Sequence, residues 1–344
     1  MTVVARQFHL GSRPEGLPQT NNFQLVERKL EAPRTGQLLV RNRWLSVDPY
    51  MRGRMTGQKS YMPPFAVGEP LDGAAIGVVV ESEDDRFSAG DVVSHFAGWR
   101  DFAITDASSA TKIDRTIPEQ AYLGPLGFPG FAAYIGMLRI GKPRAGETVF
   151  VSAAAGSVGS LAVQIAKINQ CRVVASAGAE DKLRWLRDEA GADATINYKE
   201  TSDMFASLRD AAPDGIDIYF DNVGGTHLEA ALEAANDFAR FALCGMIEQY
   251  NSEPVGPRNI YAVIEKSLLL QGFITIHNMS VWEDFQRDVT QWIVDGKVKW
   301  QETVVRGLES TPSAFLDLFS GKNTGKMIVD LREPGDTGTG GASP

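Results

Sequence analysis

The chain has 344 residues, which suggests about two domains, each large enough for its own core. Its composition is that of an ordinary soluble globular protein. The net charge of −9 has its signs interspersed, with no basic stripe, which argues against a nucleic-acid partner. No apolar run approaches the roughly 18 residues of a membrane span, so no membrane partner is expected.

Residues 1–16 lack the long apolar segment of a signal peptide. Short β-type runs then follow at 37–42, 74–81, 91–96 and 102–105, with frequent Gly and Pro and little helical periodicity. This reads as a mostly-β unit, a partly open barrel. Pro125-Leu-Gly-Phe-Pro-Gly130 marks the crossing into a helix over 131–140.

Next comes an apolar strand over 149–153 and a small-residue turn, Ala154-Ala155-Gly156-Ser157-Val158-Gly159. An amphipathic helix continues from it, with Val158, Leu161, Ala162 and Ile165 at helical spacing. Strand, tight turn and helix are the context in which glycines let a backbone approach a pyrophosphate, whose charge meets the first free N–H groups of the helix. Ala154 takes the first glycine position of G-x-G-x-x-G. The pattern alone also fits an ordinary turn whose glycines serve close packing.

Further strands are predicted at 171–176, 193–197, 216–220, 240–245 and 268–275, with helices between most of them, one over 181–189. The fold class is α/β: a Rossmann-type, doubly wound parallel sheet beside the mostly-β unit. At the end of the second strand an NAD-binding domain commonly carries a carboxylate for the ribose 2′-hydroxyl. Here Ser176-Ala177-Gly178 stands instead, which permits NADP. Lys182 fits either a solvated helix-face lysine or the cation for a 2′-phosphate.

Past the sheet, a helix over 281–295 precedes short strands and one more helix within 298–330, a segment expected to rejoin the first domain. The expected organisation is a catalytic domain over 1–127, a dinucleotide-binding domain over 128–297, a return segment over 298–332 and a disordered tail over 333–344. Cys171 and Cys244 fall in predicted strands as small buried hydrophobes, which points to a reducing compartment, the cytoplasm. Two cysteines and four scattered histidines (His9, His95, His227, His277) offer no metal-ligand spacing, so no metal is expected; the histidines read as surface or satisfied structural residues. No G-x-S-x-G elbow leads the sheet, which argues against a serine hydrolase.

Taken in order, these pieces resemble the medium-chain dehydrogenase/reductase superfamily. They are most similar to its zinc-free branch of leukotriene hydroxydehydrogenase/prostaglandin reductase and NADPH-dependent curcumin reductase. The motifs are Leu45-Ser-Val-Asp-Pro-Tyr-Met-Arg-Gly53, Ala153-Ala-Ala-Gly-Ser-Val-Gly159, Asp217-Ile-Tyr-Phe-Asp-Asn-Val-Gly-Gly225, Cys244-Gly245 with Tyr250-Asn251, Gln271-Gly-Phe273 and Gly321-Lys-Asn-Thr-Gly-Lys326. The resemblance implies a GroES-like catalytic domain and NADPH-dependent reduction of the carbon–carbon double bond of α,β-unsaturated ketones and aldehydes. It also implies a homodimer joined at the last strand of the parallel sheet.

By position, the resemblance assigns Gly156, Ser157, Val158, Gly159 and Ser160 to the pyrophosphate turn and Lys182 to the 2′-phosphate. Tyr198 falls near the adenosine, and Asn222 at the cofactor. Cys244, Gly245, Met246, Ile247, Tyr250, Phe273, Ile274 and Thr275 fall on strand ends beside the nicotinamide, and Asn323 returns from the other domain to the cofactor. Some relatives carry a proton-donating tyrosine where this chain has Glu265. Tyr50, Tyr250 and Tyr261 are therefore the candidate donors to an enolate oxygen, with water as an alternative proton source. Tyr261 also reads as a partly exposed helix residue. A quinone reductase using the same cofactor, and a non-catalytic NADPH-binding redox sensor, are the other functional readings.

Overall fold

A computed structural model describes residues 3–253 and 255–333. The expected disordered tail lies, apart from Glu333, outside the described residues. The chain divides into two compact units, Gly124–Gln301 forming one, and the residues through Leu123 with those from Glu302 forming the other.

The first unit opens with β1 (Val3–Leu10) antiparallel to β2 (Phe23–Leu30). Its main sheet contains β3 (Gln37–Ser46), β4 (Ala75–Ser82), β5 (Val92–His95), β6 (Phe102–Asp106) and β7 (Thr111–Lys112). The short helix α1 (Met51–Arg54) follows β3. After the other unit the chain adds β14 (Glu302–Arg306), α9 (Thr311–Phe319) and β15 (Lys326–Asp330). The strand order is β14-β15-β3-β4-β5-β7, with β6 also on β3, so the late strand β15 lies antiparallel to β3. Aromatic packing fills the core: Trp99 stacks on Phe23 at 5.4 Å, and Phe315 meets Trp99 edge-on at 5.9 Å.

The second unit begins with α2 (Phe128–Tyr134). Its sheet consists of β8 (Thr148–Val151), β9 (Arg172–Ala177), β10 (Ala194–Asn197), β11 (Ile216–Asp221), β12 (Ala235–Leu243) and β13 (Leu269–Gly272). All six strands are parallel, in the order β10-β9-β8-β11-β12-β13. The intervening helices are α3 (Ser157–Ile168), α4 (Glu180–Asp188), α5 (Met204–Ala211), α6 (Gly225–Ala234) and α7 (Ala262–Glu265), with α8 (Trp282–Val294) after the sheet. Such an order reverses direction beside β8, and doubly wound sheets bind ligands at the carboxyl ends of strands at that point. The wholly buried strand β8 places Phe150 in a stack with Tyr219 of β11 at 5.0 Å.

The structure departs from the sequence reading in several local places. The strand expected over 268–275 ends at Gly272, and Thr275 opens a 3-10 turn instead of lying on a strand end. The helix expected over 131–140 is α2 followed by a wider π turn, Ile135–Gly141. A Cβ on Gly136 would come within 2.4 Å of the Phe220 ring, so glycine lets this turn lie directly against β11. The cysteines flank their strands instead of lying within them. The Cys171 N–H closes the end of α3 on the Ala166 carbonyl, and the Cys244 N–H reaches past β12 to the Asp221 carbonyl.

Candidate functional site: a dinucleotide cradle and a buried polar turn

The residues 153–160 form one continuous turn from β8 into α3. Ala153 has a left-handed backbone, φ 47°, unusual for a residue with a Cβ. The Ala154 N–H bonds to the Ser176 carbonyl, tying this turn to the end of β9. Gly156 caps α3 with extended backbone and no side-chain hydrogen bond. The first N–H groups of a helix need partners from outside it. The Ser157 Oγ is buried without a hydrogen-bond partner among the described residues, as is the Ser176 Oγ. A buried hydroxyl left unpaired is costly, and a phosphate oxygen would satisfy it. A helix start, glycines and an orphaned hydroxyl therefore fit a pyrophosphate.

At the end of β9, no carboxylate follows Ser176. A Cβ on Gly178 would stand 2.8 Å from the Tyr198 Oη and 2.9 Å from the Lys199 Cε, so the phenol and the lysine stem lie directly over this glycine. Lys182, in the first turn of α4, has its pKa lowered by burial and by the nearby Lys199 cation, with Asp181 opposing. Two cations held close together in an acidic chain fit a dianionic group. Glu180 is occupied with Arg187 at 2.6 Å. Lys199 was not singled out from the sequence; its place beside Tyr198 was the available signal.

Asn222, Gly245, Met246 and Tyr250 also come together, at the ends of β11 and β12. The Asn222 N–H donates to Ser152 Oγ at 2.9 Å, and its Nδ2 to the Ser152 carbonyl at 2.8 Å. Asp221 organises the turn. Its Oδ1 accepts from Tyr219 Oη (2.8 Å), Val223 N (2.9 Å) and Gly224 N (2.8 Å), and its carbonyl from Cys244 N and Gly245 N. The Oδ2 is buried with no partner among the described residues. Burial raises the Asp221 pKa, and those hydrogen bonds oppose the rise. Burial likewise pushes the Cys244 thiol up to about 12, helped by Asp221, so it is no thiolate nucleophile near neutrality. A Cβ on Gly245 would lie 3.1 Å from the Tyr250 Oη. The Ile247 N–H bonds back to the Asn222 carbonyl. Phe273 meets Phe220 edge-on at 6.5 Å, with Ile274 and Thr275 following it. Ser152 and Asp221 are the residues here that sequence reasoning did not single out.

Tyr50 and Asn323 belong to the first unit. Tyr50 caps α1, and its hydroxyl is buried without a partner among the described residues. Burial, reinforced by Asp48, raises its pKa well above the ordinary phenol value. Asn323 lies in the turn before β15, its Nδ2 on the Gly325 carbonyl at 2.8 Å. Tyr261 stands apart, 64% exposed at the start of α7.

The histidines correct one expectation. His95 is buried and bonded to Asn42 at 2.8 Å, but both ring nitrogens of buried His227 lack partners among the described residues. His227 stacks on Phe150 and meets Tyr198 edge-on at 5.4 Å; it packs as an aromatic ring. Among the described residues, no three His, Cys, Asp or Glu side chains gather to hold a metal.

The six-stranded parallel sheet with this turn after β8 is a Rossmann-like fold of the kind that binds dinucleotides. Residues 6–113 match the family described as the N-terminal domain of oxidoreductase, and residues 157–295 the family described as zinc-binding dehydrogenase. The 2-alkenal reductase (NADP(+)-dependent) of Nicotiana tabacum is 41% identical, covering 95% of this chain and 97% of the relative. The NADPH-dependent curcumin reductase of Escherichia coli is 40% identical, covering 94% and 96%. The crystal structure of CurA from Vibrio vulnificus in complex with NADPH superposes with a TM-score of 0.90 at 40% identity, covering 96% of this chain and all of that one. The chain belongs to the medium-chain dehydrogenase/reductase family, in the NADP-dependent branch of curcumin, 2-alkenal and prostaglandin reductases.

Proposed function

We propose that this protein reduces the carbon–carbon double bond of α,β-unsaturated ketones and aldehydes at the expense of NADPH. The carrying observation is the full-length likeness to the tobacco alkenal reductase and the bacterial curcumin reductase, together with the cradle around Gly178. NADPH, when bound, supplies the hydride for the β-carbon. The unit Gly124–Gln301 is its binding domain. Residues Gly156 to Ser160 receive the pyrophosphate, Lys182 and Tyr198 the 2′-phosphate end, and Asn222, residues 244–247, Tyr250 and residues 273–275 the nicotinamide end. Asn323 keeps the cofactor role that the resemblance gives it, and its own unit is the catalytic domain.

The chain's own chemical work is to stabilise negative charge on the substrate carbonyl oxygen. A neutral phenol held above its ordinary pKa is a hydrogen-bond donor at any physiological pH, and donors aimed at developing charge are a large source of rate enhancement. Tyr50 fits this role because its hydroxyl is buried and unpaired; Tyr250 is the second candidate, and Tyr261 the third. The proton on the α-carbon comes from a tyrosine or from water. No metal takes part in this reading.

The same reading makes the protein a cytoplasmic homodimer. Leu269 on edge strand β13 and Phe238 on β12 are 51% and 71% exposed, and an apolar unpaired edge is a liability unless covered. An NADPH-consumption screen across enones, enals and quinones tests the activity. Preference for enones supports it, preference for quinones favours a quinone reductase, and no turnover of any acceptor favours a redox sensor.

A further inference from the structure

We propose that Lys326 is a positioning residue that holds Tyr50 in place through the turn Val47–Asp48, an inference that rests on the reading of Tyr50 as the hydrogen-bond donor. Lys326 opens β15 and is only 3% exposed. Its ammonium donates to the Val47 carbonyl at 2.8 Å, to Asp48 Oδ1 at 3.0 Å and to the Met327 carbonyl at 3.1 Å. An ammonium has three protons, so every donor is used.

Placing a charge in the interior is expensive unless it is paired and hydrogen-bonded, and an apolar side chain of similar size commonly serves stability as well or better. The strand does not need this cation for its own pairing. Backbone ladders already fix β15 against β3 and β14. What the ammonium adds is a grip on a segment 278 residues away, Val47–Asp48. The other Asp48 oxygen accepts from Ser46 Oγ, so the carboxylate is held from both sides.

The grip passes to Tyr50 through a short covalent and hydrogen-bonded path. The Asp48 carbonyl accepts the Met51 N–H at 3.1 Å, and the Tyr50 carbonyl accepts the Gly53 N–H at 3.1 Å. Tyr50 is the residue that caps α1, with φ −59° and ψ −26°. Fixing Val47 and Asp48 therefore fixes where the first turn of α1 starts and where its phenol stands. The Asp48 carboxylate also favours the protonated phenol, and Lys326 fixes the position of that carboxylate.

A double-mutant cycle on the full-length protein tests this, with kcat for NADPH-dependent enone reduction and NADPH affinity by fluorescence quenching as separate readouts. Lys326→Met and Tyr50→Phe should each lower kcat about tenfold, and the double variant should fall no more than about twofold below the slower single one, because residues acting as a unit are non-additive. NADPH affinity should stay within about twofold in all three. Losses that multiply to about a hundredfold, or affinity that falls in parallel with kcat, would overturn the role of Lys326 while leaving Tyr50 intact. If Tyr50→Phe alone leaves kcat within about twofold of the parent, the reading of Tyr50 fails and the inference about Lys326 falls with it. Should Lys326→Met not fold, Asp48→Asn keeps the side-chain size, removes the carboxylate and enters the same cycle with the same two outcomes.

Discussion

Gly159 and Ala153 are packed so closely that a Cβ on Gly159 would lie 2.5 Å from the Ala153 carbonyl oxygen and 2.7 Å from the Ala154 Cα. The obstacle is backbone, which cannot swing aside as a side chain can. Gly159, the second glycine of the turn, therefore acts as a spacer that seats α3 on the end of β8, and Ala153 accepts a left-handed backbone in the same place.

Gly159→Ala should shift α3 away from the turn. Overpacking of this kind costs about 1–3 kcal/mol, so the thermal midpoint should fall by several degrees. NADPH affinity should fall with it, because the helix start and the Ser157 hydroxyl move together. An unchanged melting curve and an unchanged titration would show that the turn tolerates a side chain.

Lys182→Ala should remove most of the preference for NADPH over NADH. A charge-assisted hydrogen bond is worth about 1.5–3 kcal/mol, hence roughly a tenfold to hundredfold loss in affinity for NADPH and little change for NADH. Binding of 2′-AMP against 5′-AMP isolates the phosphate contact. Equal affinity of the unmodified protein for both dinucleotides would remove the argument.

Much of this architecture was legible in the sequence, and the reasons are local. The run Val149–Ala153 followed by small residues and an amphipathic helix is a pattern within twenty residues, so β8, the turn and α3 were readable. Lys326 was visible only as the end of a motif, because its partners Val47 and Asp48 are brought to it by the pairing of β15 with β3. The sequence reads His227 as a surface or satisfied residue; it is neither, because its neighbours Phe150 and Tyr198 are brought to it from β8 and from the turn after β10. The π turn at 135–141 packs Gly136 against the Phe220 ring, a contact between distant segments that no helical periodicity encodes.

His227 gives a pH-dependent prediction. Burial lowers its pKa from 6.5 to about 4. The folded state keeps the ring neutral where the unfolded chain accepts a proton, so the contribution is fully present above pH 6.5 and is lost as pH falls through about 4. The shift corresponds to a loss on the order of 3 kcal/mol across that window. His227→Phe should flatten urea-unfolding free energies between pH 7 and pH 5 and raise stability at pH 7 by about 1 kcal/mol, because two unpartnered ring nitrogens disappear. A variant as acid-sensitive as the parent and less stable at pH 7 would mean those nitrogens are paired by water.

The homodimer is testable at the same edge that motivates it. Light scattering at micromolar concentration should give twice the chain mass. Leu269→Lys, which places a charge on the exposed edge strand β13, should shift the population toward monomer, as charged residues do on natural sheet edges. A monomeric parent protein would refute the proposal.

The three tyrosines should separate by burial. Tyr261 is exposed on the short helix α7, so Tyr261→Phe should leave kcat within about twofold, whereas Tyr50→Phe removes a buried, unpaired donor and should cost about tenfold or more. Tyr250→Phe should fall between them, since its hydroxyl lies beside Gly245 at the end of β12. Labelled hydride from NADPH should appear on the β-carbon, and deuterium from heavy water on the α-carbon. If Tyr50→Phe slows turnover while the α-carbon deuterium keeps a single configuration, Tyr50 serves the oxygen and another donor supplies the proton. A scrambled configuration with intact cofactor binding would instead make that tyrosine the acid. Label on a carbonyl carbon would mean an alcohol-forming reductase, and the proposed function would fall with it.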